Sequence, residues 1–181
     1  GDFVGNNLLI KSQIRDLGIK NDITNYYSQK LTLKYGVQVI NHNFRPNIVS
    51  TSGEISEFLA SQKGDLQTTL ESALYGNAEW KIDTNTTIAV GLRLSSSAVR
   101  GKTYIGPEPR IAAKRNIGKT GAIKLSYSRM YQYMHRVSSS SVALPTDLWY
   151  PISERVKPQN ADQIALGYHY YWPKANTLLT V

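Results

Sequence analysis

The sequence contains no cysteine, few acidic residues and only three histidines. Without thiols, disulfide bridges, thiolate zinc sites, iron–sulfur clusters and cysteine nucleophiles are all excluded. The histidines (His42, His135 and His169) lie too far apart in sequence to form a metal-binding motif. The 13 acidic residues are dispersed along the chain, so no pair of catalytic carboxylates stands out. We therefore predict no metal site, no cofactor and no catalytic residue.

Long apolar runs are also lacking. No run approaches the ~18 residues that a membrane-spanning helix needs, and the N-terminus, Gly1-Asp2-Phe3-Val4-Gly5, has no signal-peptide pattern. Charged residues make up 19% of the chain while tyrosine occurs 12 times, which is a low charge and a high aromatic content for a soluble domain. A helical membrane protein is excluded on this basis, whereas a β-stranded membrane protein is not.

Apolar residues recur instead with a period of two, which indicates β-strands. In the clearest run Ile88, Val90 and Leu92 alternate with Gly91 and Arg93. Other alternating runs cover 17–24, 31–39, 72–82, 110–117, 123–128 and 164–170, and 177–181 opens a further strand. The pattern predicts an all-β fold, an antiparallel up-and-down meander of about seven to eight strands.

The predicted connections alternate between short and long along the whole chain. Long connections are expected near 45–69, 96–107 and 138–159, and short turns lie between them. Outer-membrane barrels have short periplasmic turns and long external loops. Aromatic residues near the short turns (Tyr26, Trp80 and Trp172) fit a girdle at one lipid interface. We therefore interpret residues 1–181 as a single segment of a large transmembrane β-barrel, with external loops at the three long connections.

Several short blocks, in order, carry a resemblance to a known family. They are Gly106-Pro-Glu-Pro-Arg110, Leu125-Ser-Tyr-Ser-Arg-Met-Tyr-Gln-Tyr-Met-His135, Leu144-Pro-Thr-Asp-Leu-Trp149, Val156-Lys-Pro-Gln159 and Gln163-Ile-Ala-Leu-Gly-Tyr168. With these blocks the chain resembles the barrel of TonB-dependent outer-membrane receptors, in which about 22 strands surround a plug. The sequence shows no plug, no TonB box and no closing terminal strand, so we expect a section of such a barrel.

The resemblance implies a function for the parent protein. It would import a bulky nutrient (an iron chelate, cobalamin, a glycan or a peptide) across the outer membrane of a Gram-negative cell. Its partners would be outer-membrane lipid, the nutrient ligand, and a TonB-type energising protein that acts through the missing plug. This chain would supply wall, lumen face and external loops.

The connection near 138–159 combines prolines, aromatic residues and flanking arginines, a composition suited to ligand capture on a rigid scaffold. The ligand-binding candidates, in this loop and in the strand that precedes it, are Tyr131, Tyr133, His135, Trp149 and Tyr150. The alternative is structural, with Leu148 and Trp149 packing over the barrel rim to hold the loop in place.

Other functions have weaker support in the sequence. A net charge of +8 could suit nucleic acid, but Lys20, Lys34 and Lys124 are spread singly across strands, which favours a hydrated lumen. Ser138–Ser141 with His135 and Asp147 supply the residue types of a hydrolase triad without a context for an oxyanion hole, so we expect no enzyme. Two alternatives stay open. One is a soluble lipocalin-like barrel that binds an apolar ligand among its aliphatic side chains. The other is a small eight-stranded outer-membrane protein.

Overall fold

The computed structural model describes residues 7–52, 65–99, 101–137, 148–153 and 155–180. Within these ranges, residues 7–12, 46–52, 136–137 and 148–151 are described by their backbone. The strands are β1 (Asn7–Tyr26), β2 (Leu31–Ser52), β3 (Gln67–Lys81), β4 (Thr86–Val99), β5 (Lys102–Ile117), β6 (Gly121–Gln132), β7 (Met134–Val137), β8 (Leu148–Pro151), β9 (Gln159–Trp172) and β10 (Thr177–Thr180). No helix long and apolar enough to cross a membrane occurs among these residues.

Eight of the strands form one antiparallel sheet in the order β1-β2-β3-β4-β5-β6-β9-β10. Each strand of this sheet therefore pairs with the strands that precede and follow it in the meander. The strands β7 and β8, which lie between β6 and β9 in the sequence, form a separate two-stranded ribbon. The predicted all-β up-and-down meander is confirmed. The sheet is open, because β1 and β10 form its two edges and do not pair with each other.

The cross-strand register confirms the predicted faces. Leu33 aligns with Ala78 and Val90, while the adjacent Lys34 aligns with Asn77 and Gly91 on the other side of the sheet. Side chains on the first face, here called the apolar face, are exposed: Leu92 is 47% exposed, and Leu166 and Ile164 are 74% and 77% exposed. The opposite face, here called the polar face, carries the buried side chains, among them Phe44, His42, Ser95 and Glu108.

The strands are staggered in one direction. The row of cross-strand partners that starts at Leu31, the first residue of β2, passes through Ile88 and ends at Leu166 in β9. Leu166 lies six residues before the end of β9 at Trp172, so the short-turn ends shift by about one residue per strand. The short turns come to one level only if the strands are tilted, as they are in barrels.

Two predicted long connections are shorter than expected. Val99 pairs with Lys102, so the connection predicted over 96–107 is wrong: it consists of residues 100 and 101, and Gly101 has a φ of 83° there. β2 continues to Ser52 and β3 begins at Gln67, which reduces the connection predicted over 45–69 to 53–66. The strands continue beyond the point where apolar alternation stops, because backbone pairing does not require an apolar face.

The third predicted connection, over 138–159, is also interrupted by structure, since β8 lies within it and pairs with β7. Residues 138–147 and 154 lie outside the described part of the chain.

Prolines lie within three strands, β2, β5 and β8, and in β8 the proline is the last residue. Pro46 lies in β2 where the register shifts, between the pairs Lys11–Ile48 and Gln13–Arg45, and such a bulge tolerates a missing N–H. Pro107 and Pro109 lie in β5, where its pairing with β4 continues but its pairing with β6 extends only from Arg110 to Ile117. Both prolines therefore occupy a stretch with one free edge.

The short turn between β3 and β4 is closed by a carboxylate. Asp83 Oδ1 accepts hydrogen bonds from the backbone N–H of Asn85 at 2.6 Å and of Thr86 at 2.8 Å. These donors, Asn85 first, hold the pKa of Asp83 below its usual value. The turn therefore prefers the ionised side chain at neutral pH.

Candidate ligand-binding site

The candidate site lies on the polar face, toward the long-connection ends of the strands. Beyond Ser128 the chain leaves its ladder with β5, and Tyr131 and Tyr133 lie over the polar side of β4 and β5. Their rings are stacked, with centroids 6.5 Å apart and planes inclined by 19°. Two of the predicted ligand-binding residues are thus brought together.

Tyr133 is 5% exposed and ends a chain of hydrogen bonds. Ser95 Oγ lies 2.7 Å from Glu108 Oε1 and 2.8 Å from the Tyr133 hydroxyl. Because an ionised carboxylate only accepts, Ser95 donates to Glu108 and the Tyr133 hydroxyl donates to Ser95. The hydroxyl of Tyr133 is committed to the protein, so this residue serves the site by holding Tyr131 rather than by offering a free polar group.

Glu108 forms ion pairs with two arginines. Its side chain is buried, and Oε2 lies 3.2 Å from Arg110 Nη2 and 3.8 Å from Arg93 Nε. Arg93 also donates to Gln38 Oε1 at 3.1 Å and stands 5.5 Å from the ring centroid of Tyr75. Both arginines are thus held in place by one carboxylate, which offsets one of their two positive charges.

Gly106 gives Tyr131 its position. A Cβ placed on Gly106 would stand 2.5 Å from Tyr131 Cγ and 2.9 Å from the Tyr133 hydroxyl. Only a residue without a side chain lets both tyrosines approach the β5 backbone this closely.

His135, the third candidate, is buried and bonds the backbone. Its Nε2 lies 3.2 Å from the carbonyl oxygen of Lys157, while Nδ1 has no partner. Backbone pairing places Tyr150 opposite His135 and Trp149 opposite Arg136, so all the candidates belong to one region of the fold. The side chains of Trp149 and Tyr150, and all of Ser138–Ser141 and Asp147, lie outside the described residues. Whether these candidates contact a ligand stays a prediction.

The structure also brings together a cluster of polar side chains, Asp16, His42 and Glu71, that the sequence does not indicate. His42 Nδ1 lies 2.8 Å from Asp16 Oδ1, and His42 Nε2 lies 3.6 Å from Glu71 Oε1 without a hydrogen-bond partner. These residues belong to three different strands, β1, β2 and β3, and only the register brings them together. No residue-type motif could have revealed them, because their spacing in sequence depends on strand and loop lengths.

Two cavities meet at the tyrosine pair. One, of about 210 Å³, is bounded by Arg93, Ser95, Glu108, Arg110, Tyr131 and Tyr133. The other, of about 540 Å³, is more open and is bounded by His42, Glu71, Tyr131, Tyr133 and the Gln159–Ala161 segment, with methionines beside them. In the described part of the chain no three acidic or histidine side chains are grouped to hold a metal ion.

Comparisons with protein-family models, with curated proteins and with solved structures found no match. A function for this site therefore rests on its geometry and on the sequence resemblance.

Proposed function

We propose that this chain is a section of the barrel wall of a TonB-dependent outer-membrane receptor that imports a bulky nutrient. The observation that carries the membrane part is the apolar face. Aliphatic side chains cover that face across the sheet and stay exposed, while ion pairs and buried polar groups lie on the other face. Soluble monomers rarely expose an apolar surface that is continuous across a whole sheet, whereas acyl chains accommodate one.

The border of the apolar face also supports a lipid interface. Trp80, Tyr170 and Trp172 lie within two residues of the short-turn ends of their strands and share the parity of the apolar face. Tyr26, which the sequence predicts in the same girdle, pairs with Thr32 and lies on the polar face instead. Amphipathic rings at this level are the usual boundary of a membrane barrel. The stagger of the strands agrees with a tilted wall.

The two alternatives fit these observations less well. A lipocalin-like barrel needs Ile88, Val90 and Leu92 in a closed interior, but Val90 and Leu92 are half exposed on an open sheet. A complete eight-stranded barrel needs β1 to pair with β10, and these two strands are the separate edges of the sheet. The receptor and nutrient-import role itself rests on the blocks from Gly106 to Tyr168.

Lipid contact can be tested with two neighbouring positions on β9. All tryptophans of the protein as its native gene encodes it, including Trp80, Trp149 and Trp172, are first replaced by phenylalanine. Leu166→Trp then places a probe on the apolar face, and Ala165→Trp places the matched control on the polar face. In bilayers of phospholipid brominated near the middle of the acyl chain, we expect strong quenching of the tryptophan emission in the Leu166→Trp variant and little quenching in the Ala165→Trp variant. Equal quenching at the two positions would contradict a membrane wall.

Import is tested by genetics in the native organism. Deleting the gene and deleting its TonB-type energising protein should impair uptake of the same nutrient, and the double deletion should be no worse than either alone. Additive defects, or normal uptake of every nutrient tested without the gene, would contradict the receptor role.

A further inference from the structure

The larger cavity at the tyrosine pair lies at the long-connection end of the polar face, where a ligand from outside the barrel would first arrive. Tyr131 supplies an aromatic wall, and Met130 and Met134 add apolar surface beside it. The Gln159–Ala161 segment contributes amide side chains from β9. The cavity therefore combines a flat apolar surface with uncharged hydrogen-bonding groups.

A carboxylate stands at the wall of this cavity. The side chain of Glu71 is 26% exposed, and its Oε1 lies 3.6 Å from Nε2 of His42, which is buried. Asp16 Oδ1 lies 2.8 Å from His42 Nδ1, so the imidazole ring is held between two carboxylates. The two oxygens of the Glu71 carboxylate are adjacent acceptors that fit a ligand with neighbouring hydroxyl donors.

The charges around the cavity disfavour an anionic ligand. Glu108 offsets one of the two positive charges of Arg93 and Arg110. Asp16 and Glu71 place further carboxylates next to His42, so that the carboxylates outnumber the arginines in this region. A carboxylate-rich iron chelate would be repelled by this excess of acidic groups.

We propose that this cavity binds one pyranose ring of a neutral oligosaccharide. The apolar C–H face of the sugar packs on the ring of Tyr131, and two adjacent hydroxyls donate to the two oxygens of the Glu71 carboxylate. Polar groups of the Gln159–Ala161 segment bond further hydroxyls. This substrate class deepens the proposed import function and rests on it.

Binding is measured by isothermal titration calorimetry on the protein as its native gene encodes it. The detergent is lauryldimethylamine oxide, since alkyl glucosides and maltosides carry the sugar group under test. The probes are maltohexaose, cellohexaose, xylohexaose and mannohexaose. We expect at least one of the four to bind with a dissociation constant below about 1 mM.

The variants separate stacking from charge. Tyr131→Ala should weaken binding about tenfold or more, while Tyr131→Phe, which keeps the ring, should stay within about twofold. Tyr168→Ala removes a tyrosine from the apolar face and should leave binding unchanged. Glu71→Gln keeps an acceptor oxygen and should weaken binding of a neutral sugar by less than about fivefold, whereas a cationic ligand would lose far more.

Three outcomes would overturn the saccharide proposal. They are no binding of any probe at 10 mM, equal effects of Tyr131→Ala and Tyr168→Ala, and loss of binding in Tyr131→Phe. Each variant is also made in the tryptophan-free protein that carries Leu166→Trp, and normal quenching of this probe in bilayers reports correct folding. If that quenching is normal and no saccharide binds, the substrate class fails while the membrane wall stands.

Discussion

The missing side chain at Gly106 determines where the aromatic pair of the candidate site lies. Tyr131 packs on the β5 backbone at a distance that no Cβ would allow. Tyr133 is fixed beside it through Ser95 and Glu108, so the pair is held from two sides. The absence of a side chain at position 106 therefore determines where the two tyrosines lie, and with them the shape of both cavities.

Gly106→Ala should displace Tyr131 and destabilise the protein. Because the added methyl would overlap the ring, we expect a loss of about 1–3 kcal/mol in the free energy of unfolding. The measurement is guanidinium unfolding from lipid vesicles followed by tryptophan emission. Gly76→Ala is the control, since a Cβ there meets nothing within 4 Å. It should stabilise the strand by about 0.5 kcal/mol. An equal response of the two variants would contradict the packing described for Tyr131.

Sequence reasoning reached part of this site. Tyr131, Tyr133 and His135 could be selected because aromatic residues near a long connection suit ligand contact. His42 and Glu71 could not, because their proximity depends on the pairing of β2 with β3. The hydrogen bond between Tyr133 and Ser95 could not be predicted either, because the two residues lie far apart in the sequence.

At the scale of strands, apolar alternation predicted which segments pair but not where they end. Ser96 and Ser97 fall in the connection predicted near 96–107 because the apolar alternation stops after Leu94, yet both residues continue β4. Apolar alternation arises where one face of a strand meets an apolar environment, whereas pairing is a property of the backbone. In the membrane wall proposed above, a strand that continues beyond the bilayer would therefore lose its apolar pattern before it loses its pairing partner.

The prolines of β5 make the free edge of that strand testable. Asn116 N–H donates to Asn85 O on the β4 side, so odd-numbered residues of β5 direct their N–H toward β6. At position 105 no residue of β6 is paired, whereas Ile111 is paired with Tyr127. Ile105→Pro should thus resemble the native Pro107 and cost less than about 1 kcal/mol. Ile111→Pro should cost about 3 kcal/mol or prevent folding, because it removes a ladder hydrogen bond between paired strands.

The same unfolding titration from vesicles measures both proline variants. Equal stability of Ile105→Pro and Ile111→Pro would show that β6 continues along β5 and would contradict the free edge.

At the scale of the whole molecule, the two faces of the sheet followed directly from the sequence. Because side chains alternate strictly in a strand, assigning Leu92 to one face assigned Gly91 and Arg93 to the other. Whether the sheet closes could not be predicted in the same way, since closure depends on strands that pair at the edges of β1 and β10.

The stagger of about one residue per strand predicts the orientation of the strands in a membrane. Eight strands with a shear of eight are tilted by about 36°, and the same ratio of shear to strand number applies here. Polarised infrared spectroscopy of the protein in oriented bilayers should give a mean strand tilt of about 36° from the membrane normal. A tilt near zero would contradict the membrane orientation proposed for the sheet.

The strand order has a consequence for how the protein is made. Each main strand pairs with the strand synthesised just before or after it, and among the described residues only the β7–β8 ribbon departs from that order. No segment has to be threaded past another, and each loop closure spans only the neighbouring connection. Assembly can therefore proceed one hairpin at a time, because the unpaired backbone N–H and C=O groups of the last strand are available to pair with the next hairpin.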